Sequence, residues 1–151
     1  MKLAEALINR GNCQKMIEVL KEKLVKYSRI QEGEKPAEDP DEILDKLTSH
    51  FTELTSLMQR INKTNSMTAF DESRSIADVL AHRDVLKKKW NALYKTISEA
   101  TDLTERYSKK EIKMLSSIDV KKYQKIADDT AKEYREIDLK IQEMNWKVDL
   151  L

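Results

Sequence analysis

Several things are scarce in this chain of 151 residues, and each scarcity excludes a class. A single cysteine, Cys13, cannot form an internal disulfide, so no disulfide scaffold is possible. Two glycines, Gly11 and Gly33, are too few for a turn-rich β-sandwich or a glycine-rich phosphate loop. Aromatic residues make up only 6% of the chain. No apolar run approaches the roughly 20 residues that cross a bilayer. The first ten residues carry Glu5 inside their only apolar stretch, which argues against a secretory signal and predicts a cytoplasmic protein without a membrane partner. Net charge is nearly absent too. Lys and Arg number 28 against 27 Asp and Glu, a balance that disfavours a dedicated nucleic-acid binder.

What is present is charge in quantity, 36% of residues, interleaved with 40% hydrophobic residues at helical spacing. The charges come in blocks. Residues 1–31 are mainly basic, 32–45 mainly acidic, 106–125 mainly basic and 126–151 mainly acidic. Opposite blocks can steer an antiparallel arrangement or self-association, although solvated helix faces carry the same pattern.

Four helices are predicted. The first runs from about Lys2 to Gln31 with an apolar stripe at Leu3, Leu7, Ile17, Leu20, Leu24 and Tyr27, and Gly33 is placed to take a left-handed cap. An acidic loop with both prolines follows, and Asp39-Pro40 reads as an N-cap and first helical residue. The second helix, about Pro40 to Asn65, is assigned the seam Leu44, Leu47, Phe51, Leu54, Met58 and Ile61. Ser75 with Asp78 opens the third, whose seam is Ile76, Val79, Arg83, Leu86, Trp90, Leu93, Ile97, Ala100 and Tyr107. The fourth, capped by Ser117 or Asp119, has Val120, Tyr123, Ala127, Thr130, Tyr134, Ile137, Ile141, Met144 and Val148. Short β segments are allowed near 66–74 and 109–116. The fold expected is all-α, a single domain over 1–151, an antiparallel bundle of four long coiled-coil-like helices.

Chemistry-bearing patterns are sparse. His50 and His82 are the only histidines, and neither follows a glutamate by three residues, as a di-iron bundle requires. Neither Cys-x-x-Cys nor His-Glu-x-x-His occurs, so no metal or other cofactor is expected. Asp78 and His82 lie one turn apart and read as a surface pair. Cys13 reads as a buried structural thiol, and no enzyme activity is expected.

Two sets of residues merit placement. One is polar: Asn62, Asn65, Arg83, Asp84 and Asn145, read as a network fixing helix register or as a ligand pocket, with Asp84, Asp138 or Glu143 as the carboxylate for Arg83. The other is basic: Lys87, Lys88 and Lys89 beside Trp90, with Lys109, Lys110 and Lys113 in the stretch 106–125. This patch carries an alternative reading as a nucleic-acid-binding module.

Several phrases occur together: MKLAEAL, QEGEKPAEDP, RINKTN, AHRDVL and KEYREIDLKIQEMNW. In this order they resemble a family of small uncharacterised bacterial proteins, some labelled septicolysin-like. The resemblance spans nearly the whole length and implies a bacterial helical protein with no established activity. Together these readings point to a non-catalytic helical interaction or structural module. A homo-oligomer is expected, a dimer by default, with another protein as a possible further partner.

Overall fold

In a computed structural model of the chain, residues 1–102 and 114–151 are described. The fold is all-α. Among the described residues its helices are α1 (Leu3–Tyr27), α2 (Pro40–Met67), α3 (Ile76–Thr101) and α4 (Val120–Lys147). They are grouped in two units. Unit 1 comprises Met1–Ala69 and Glu143–Leu151, and unit 2 comprises Phe70–Gln142. Helix α4 thus supplies residues to both.

Unit 1 is built on an antiparallel pair. Lys23 of α1 meets Glu38 just before α2 at 2.8 Å, while Cys13 further back on α1 meets His50 further along α2. Numbering that falls on one helix as it rises on the other defines opposite directions. Between them Cys13, Ile17, Leu20, Ile43 and Leu47 form a buried cluster, with Leu24, Tyr27 and Leu54 packed at its edge. Cys13 therefore lies in the stripe itself.

The start of α2 follows the expected chemistry. The Asp39 carboxylate accepts from the Asp41 N–H at 2.9 Å, and Pro40 takes the first helical position. Helix α1 ends earlier than its pattern suggests, at Tyr27 rather than Gln31. The Ser28 hydroxyl donates to the Val25 carbonyl at 2.7 Å and closes the last turn, and Ile30 beyond it is exposed. Gly33 does have positive φ, 87°, but in the turn closed by the Glu34 N–H on the Gln31 carbonyl rather than at the helix end.

The α2 seam needs a larger correction. Leu47, Leu54 and Ile61 face inward, but Leu44, Phe51 and Met58 are 48%, 47% and 45% exposed. The inward row is Ile43, Leu47, His50, Leu54, Leu57, Ile61 and Thr64. It was concealed because it includes a histidine and a threonine. Thr64 is fully buried and fully engaged: its hydroxyl donates to the Arg60 carbonyl at 2.9 Å and accepts from the Leu151 N–H at 3.0 Å. A buried hydroxyl satisfied in both roles carries little penalty.

The last residues complete unit 1. Leu3 N–H donates to the Val148 carbonyl and Leu150 N–H to the Met1 carbonyl, each at 2.9 Å, around an antiparallel Lys2–Asp149 bridge. Glu5 takes the Lys2 N–H at 2.6 Å, one orphan donor at the start of α1.

Unit 2 pairs α3 with α4, again antiparallel. Arg83 reaches Asp138, while Trp90, a turn or two later on α3, lines a groove with Ala131 and Tyr134, earlier on α4. Both expected seams hold within the described residues: Ile76, Val79 and Leu86 are buried on α3, and Ala127, Thr130 and Ile141 on α4. Tyr107 lies outside them. Ser75 and Asp78 form the reciprocal cap, the Asp78 carboxylate taking the Ser75 N–H at 2.8 Å and the Ser75 hydroxyl taking the Asp78 N–H at 3.2 Å.

No strand forms over 66–74. Met67 still belongs to α2, and the residues after it are gathered by Asp71. One Asp71 oxygen accepts the N–H groups of Ser73 and Arg74, and the other accepts two N–H groups from the Arg74 guanidinium, at 2.8 and 2.6 Å. A side chain that takes up the backbone donors of its own loop competes with strand pairing. Of the other expected β segment, 109–113 lie outside the described residues and 114–116 have no regular structure.

The same contacts hold the Asp71 carboxyl down to about 2 from its ordinary 3.8, the Arg74 side chain being the largest cause and the Ser73 N–H the next. A depressed folded-state value means that the folded chain holds this proton less tightly than the unfolded chain. The resulting stability is fully present above about pH 4 and disappears as pH falls to about 2. Asp71→Asn is therefore expected to melt below wild type at neutral pH and to converge with it near pH 2. Thermal melts by circular dichroism across this range check it, and parallel curves would contradict it.

Candidate functional site

One exposed row of α2 is uncharged along its length. Leu44, Thr48, Phe51, Thr55, Met58 and Asn62 recur at alternating intervals of four and three, the spacing of a helix-packing seam. All six are exposed and none is charged, in a chain where 36% of residues are charged. Thr48 and Thr55 donate their hydroxyls to the carbonyls of Leu44 and Phe51, at 2.8 and 2.9 Å. Their donors are thereby spent on the helix itself.

The polar residues singled out from the sequence divide between the two units. Arg83 and Asp84 are on α3 in unit 2. Asn62 and Asn65 are on α2, and buried Asn145 is in the unit 1 part of α4. Arg83 does find carboxylates. Its side chain, 22% exposed, donates to Asp138 on α4 at 2.8 Å and reaches Asp84 at 3.4 Å. Its Nε is buried without a partner. Glu143 pairs with Lys147 one turn on. One residue before Arg83, His82 pairs with Glu133 of α4 at 2.8 Å, so Asp78 caps a helix and is not the partner of His82.

Lys87, Lys88 and Lys89 are all exposed on α3, whereas Lys109, Lys110 and Lys113 lie outside the described residues. Lys87 borders a groove of about 250 Å³ with Trp90, Tyr134 and Arg135. Trp90 is half-buried and stacks on Tyr94, ring centroids 5.1 Å apart. Its packing role and the lysines' solvated position both follow from the seam register.

A further cluster joins residues far apart in sequence. Cys13 Sγ on α1 lies 3.8 Å from His50 Nδ1 on α2, and the same nitrogen lies 3.3 Å from a Glu53 carboxylate oxygen. The three ligand atoms fall within 4.8 Å of one another. Cys13 is buried, His50 half-buried and Glu53 exposed. The thiol also donates to the His50 carbonyl at 3.2 Å. Burial, and then the negative charge of Glu53, push the Cys13 pKa up, so at neutral pH the sulfur carries its proton. That opposes a nucleophilic role. A relay triad also needs thiol and carboxylate on opposite ring nitrogens, and here both face Nδ1. A di-iron bundle places glutamate three before histidine, whereas the pattern present here is glutamate three after it, His50-x-x-Glu53.

Among the described residues, no helix is long and apolar enough to cross a membrane. Comparison with known proteins agrees with the uncharacterised family expected from the sequence. Residues 10–150 match a family of unknown function, DUF6847. A solved structure, described as a functionally unknown conserved protein from Corynebacterium diphtheriae, is 41% identical over 100% of this chain and 99% of its own, with a TM-score of 0.95. No curated protein matches. Neither match carries the septicolysin label. The chain belongs to the DUF6847 family.

Proposed function

We propose that this family member is a non-catalytic helical module that works by pairing with a second copy of itself through the uncharged seam of α2. The observation that carries the reading is the exposed row Leu44, Phe51 and Met58, at seven-residue intervals on a face without charge. The row is symmetric about Phe51. In an antiparallel pair of α2 helices, Phe51 meets its own copy at the two-fold axis and Leu44 of each copy meets Met58 of the other. A two-fold interface needs this self-complementarity.

Charge supports the same direction. The start of α2 is acidic, with Asp39, Asp41, Glu42 and Asp45, and its end carries Arg60 and Lys63. Antiparallel pairing sets each acidic end beside the other copy's basic end, and a parallel pair would set like beside like. The macrodipoles of the two helices then also oppose.

Native mass spectrometry and sedimentation test this. Wild type is expected at twice the 17.7 kDa chain mass at concentrations of about 10 µM and above, an ordinary affinity for a modest interface. Phe51→Asp is expected at the single-chain mass with unchanged helical circular dichroism, since its side chain is half exposed. Phe51→Cys is expected to form a disulfide-linked dimer on mild oxidation. A wild-type chain that stays monomeric at high concentration, or a dimer indifferent to Phe51→Asp, would refute the reading.

A further inference from the structure

We propose that Cys13, His50 and Glu53 form a mononuclear Zn(II) site between α1 and α2, with the fourth coordination position open to solvent. The inference rests on this cluster and is independent of the α2 seam.

The donor set is chemically suitable. A thiolate, an imidazole nitrogen and a carboxylate oxygen are the three ligand types that Zn(II) takes in proteins, and a sulfur donor disfavours Mg(II) and Ca(II). The spacing fits as well. Tetrahedral zinc with bonds of about 2.3 Å to sulfur and about 2.1 Å to nitrogen and oxygen sets S and N about 3.6 Å apart, and N and O about 3.4 Å apart. Here these separations are 3.8 Å and 3.3 Å. The remaining edge, sulfur to carboxylate, lies within 4.8 Å, and Glu53 is exposed and free to close it by a change of rotamer.

Position supports recruitment of all three. Cys13 comes from the middle of α1, locked in the buried cluster with Ile17 and Leu20. His50 and Glu53 are one turn apart on α2 and project on one side of the helix. All three are therefore held on helices, and Glu53, exposed, is the one whose side chain is free to adjust. Solvent reaches the site past Glu53, whose side chain is 54% exposed. That gives an entry path for the ion and room for a water as fourth ligand.

Binding is balanced as a proton exchange. The Sγ–H bond breaks, Sγ–Zn forms, and one proton passes to buffer. The His50 imidazole nitrogen and the Glu53 carboxylate oxygen each donate a lone pair. The hydrogen bond from the thiol to the His50 carbonyl is given up in the process.

The test uses the full chain stripped with a chelator and titrated with Zn(II) alone, and separately with Co(II) as a spectroscopic stand-in. The expected result is one ion per chain and release of about one proton per ion, read from calorimetry in buffers of different ionisation heat. Co(II) should show a thiolate charge-transfer band in the near ultraviolet together with four-coordinate visible bands. Cys13→Ser should abolish the charge-transfer band. Glu53→Gln, at an exposed position that leaves the fold intact, should weaken Zn(II) by at least about 10–100-fold, the loss typical of even an outer-shell partner. His82→Gln should change nothing. No Zn(II) uptake at micromolar concentrations, or uptake that survives both Cys13→Ser and Glu53→Gln, would overturn the proposal. Because Phe51→Asp addresses only the seam, oligomerisation and zinc uptake fail or succeed separately.

Discussion

Ile43→Ala is expected to lower the unfolding free energy by about 2–5 kcal/mol, whereas Leu44→Ala costs less than about 1 kcal/mol. Both changes remove similar aliphatic volume from neighbouring positions of one helix, so propensity and chain entropy nearly cancel. The difference is environment. Ile43 is 1% exposed inside the cluster formed with Cys13, Ile17, Leu20 and Leu47, and truncation leaves a cavity that packed neighbours cannot fill. Leu44 is 48% exposed, and solvent occupies the space its side chain vacates. Urea unfolding at low chain concentration, or in a Phe51→Asp background, keeps self-association out of the comparison. The midpoints should separate widely with similar slopes. Equal losses, or a larger loss at Leu44, would mean that the outer seam of α2 is the one that faces the core.

The second large effect concerns Arg83. Asp138→Ala is expected to destabilise by about 2–3 kcal/mol, below the 3–5 kcal/mol typical of a fully buried broken pair because both side chains retain some solvent contact. Asp84→Ala should cost less than about 0.5 kcal/mol, since that contact is 3.4 Å long and its carboxylate is 68% exposed. The asymmetry follows from distance and exposure, and the unpartnered Arg83 Nε leaves the guanidinium dependent on these two contacts. Losing Asp138 leaves the guanidinium with one long exposed contact, in a side chain only 22% accessible. Arg83→Met combined with Asp138→Leu should recover most of the loss, because an apolar pair of similar size removes both desolvation costs. A double-mutant cycle reads the coupling directly. Comparable losses at Asp84 and Asp138 would contradict this account.

The unit 2 seams were legible from the sequence because each has one dominant apolar row. On α3, Ile76, Val79 and Leu86 of the assigned row are buried while Val85 beside it is 59% exposed, and on α4 Ala127 and Ile141 are buried while Leu139 is 70% exposed. Helix α2 has two rows that share Leu47, Leu54 and Ile61. The more apolar choice, through Leu44, Phe51 and Met58, is the one left exposed. Burial went to the row with His50 and Thr64, whose polar atoms find partners that periodicity does not reveal: the Cys13 thiol and the Leu151 N–H. Arg83 was recognised as an anomaly, and the choice among Asp84, Asp138 and Glu143 required the α3–α4 register. The Cys13–His50–Glu53 cluster was harder to see, its thiol and imidazole standing 37 positions apart in sequence. Its accessible signal was His50-x-x-Glu53 opposite a cysteine placed in a core stripe.

The bridge between Lys2 and Asp149 has a consequence for biogenesis. Unit 1 is discontinuous: its helical pair is made early and its closing segment, Glu143–Leu151, comes after all of Phe70–Gln142. On the ribosome, α1 and α2 emerge while Leu3 N–H still lacks the Val148 carbonyl and buried Thr64 still lacks the Leu151 N–H. Local pairing of α1 with α2 can proceed at once, as contacts close in sequence do, but the last hydrogen bonds wait for the remainder of the chain. The pairing of α1 with α2 can therefore begin before unit 2 is made, while the hydrogen bonds that close unit 1 form only once Glu143–Leu151 is available.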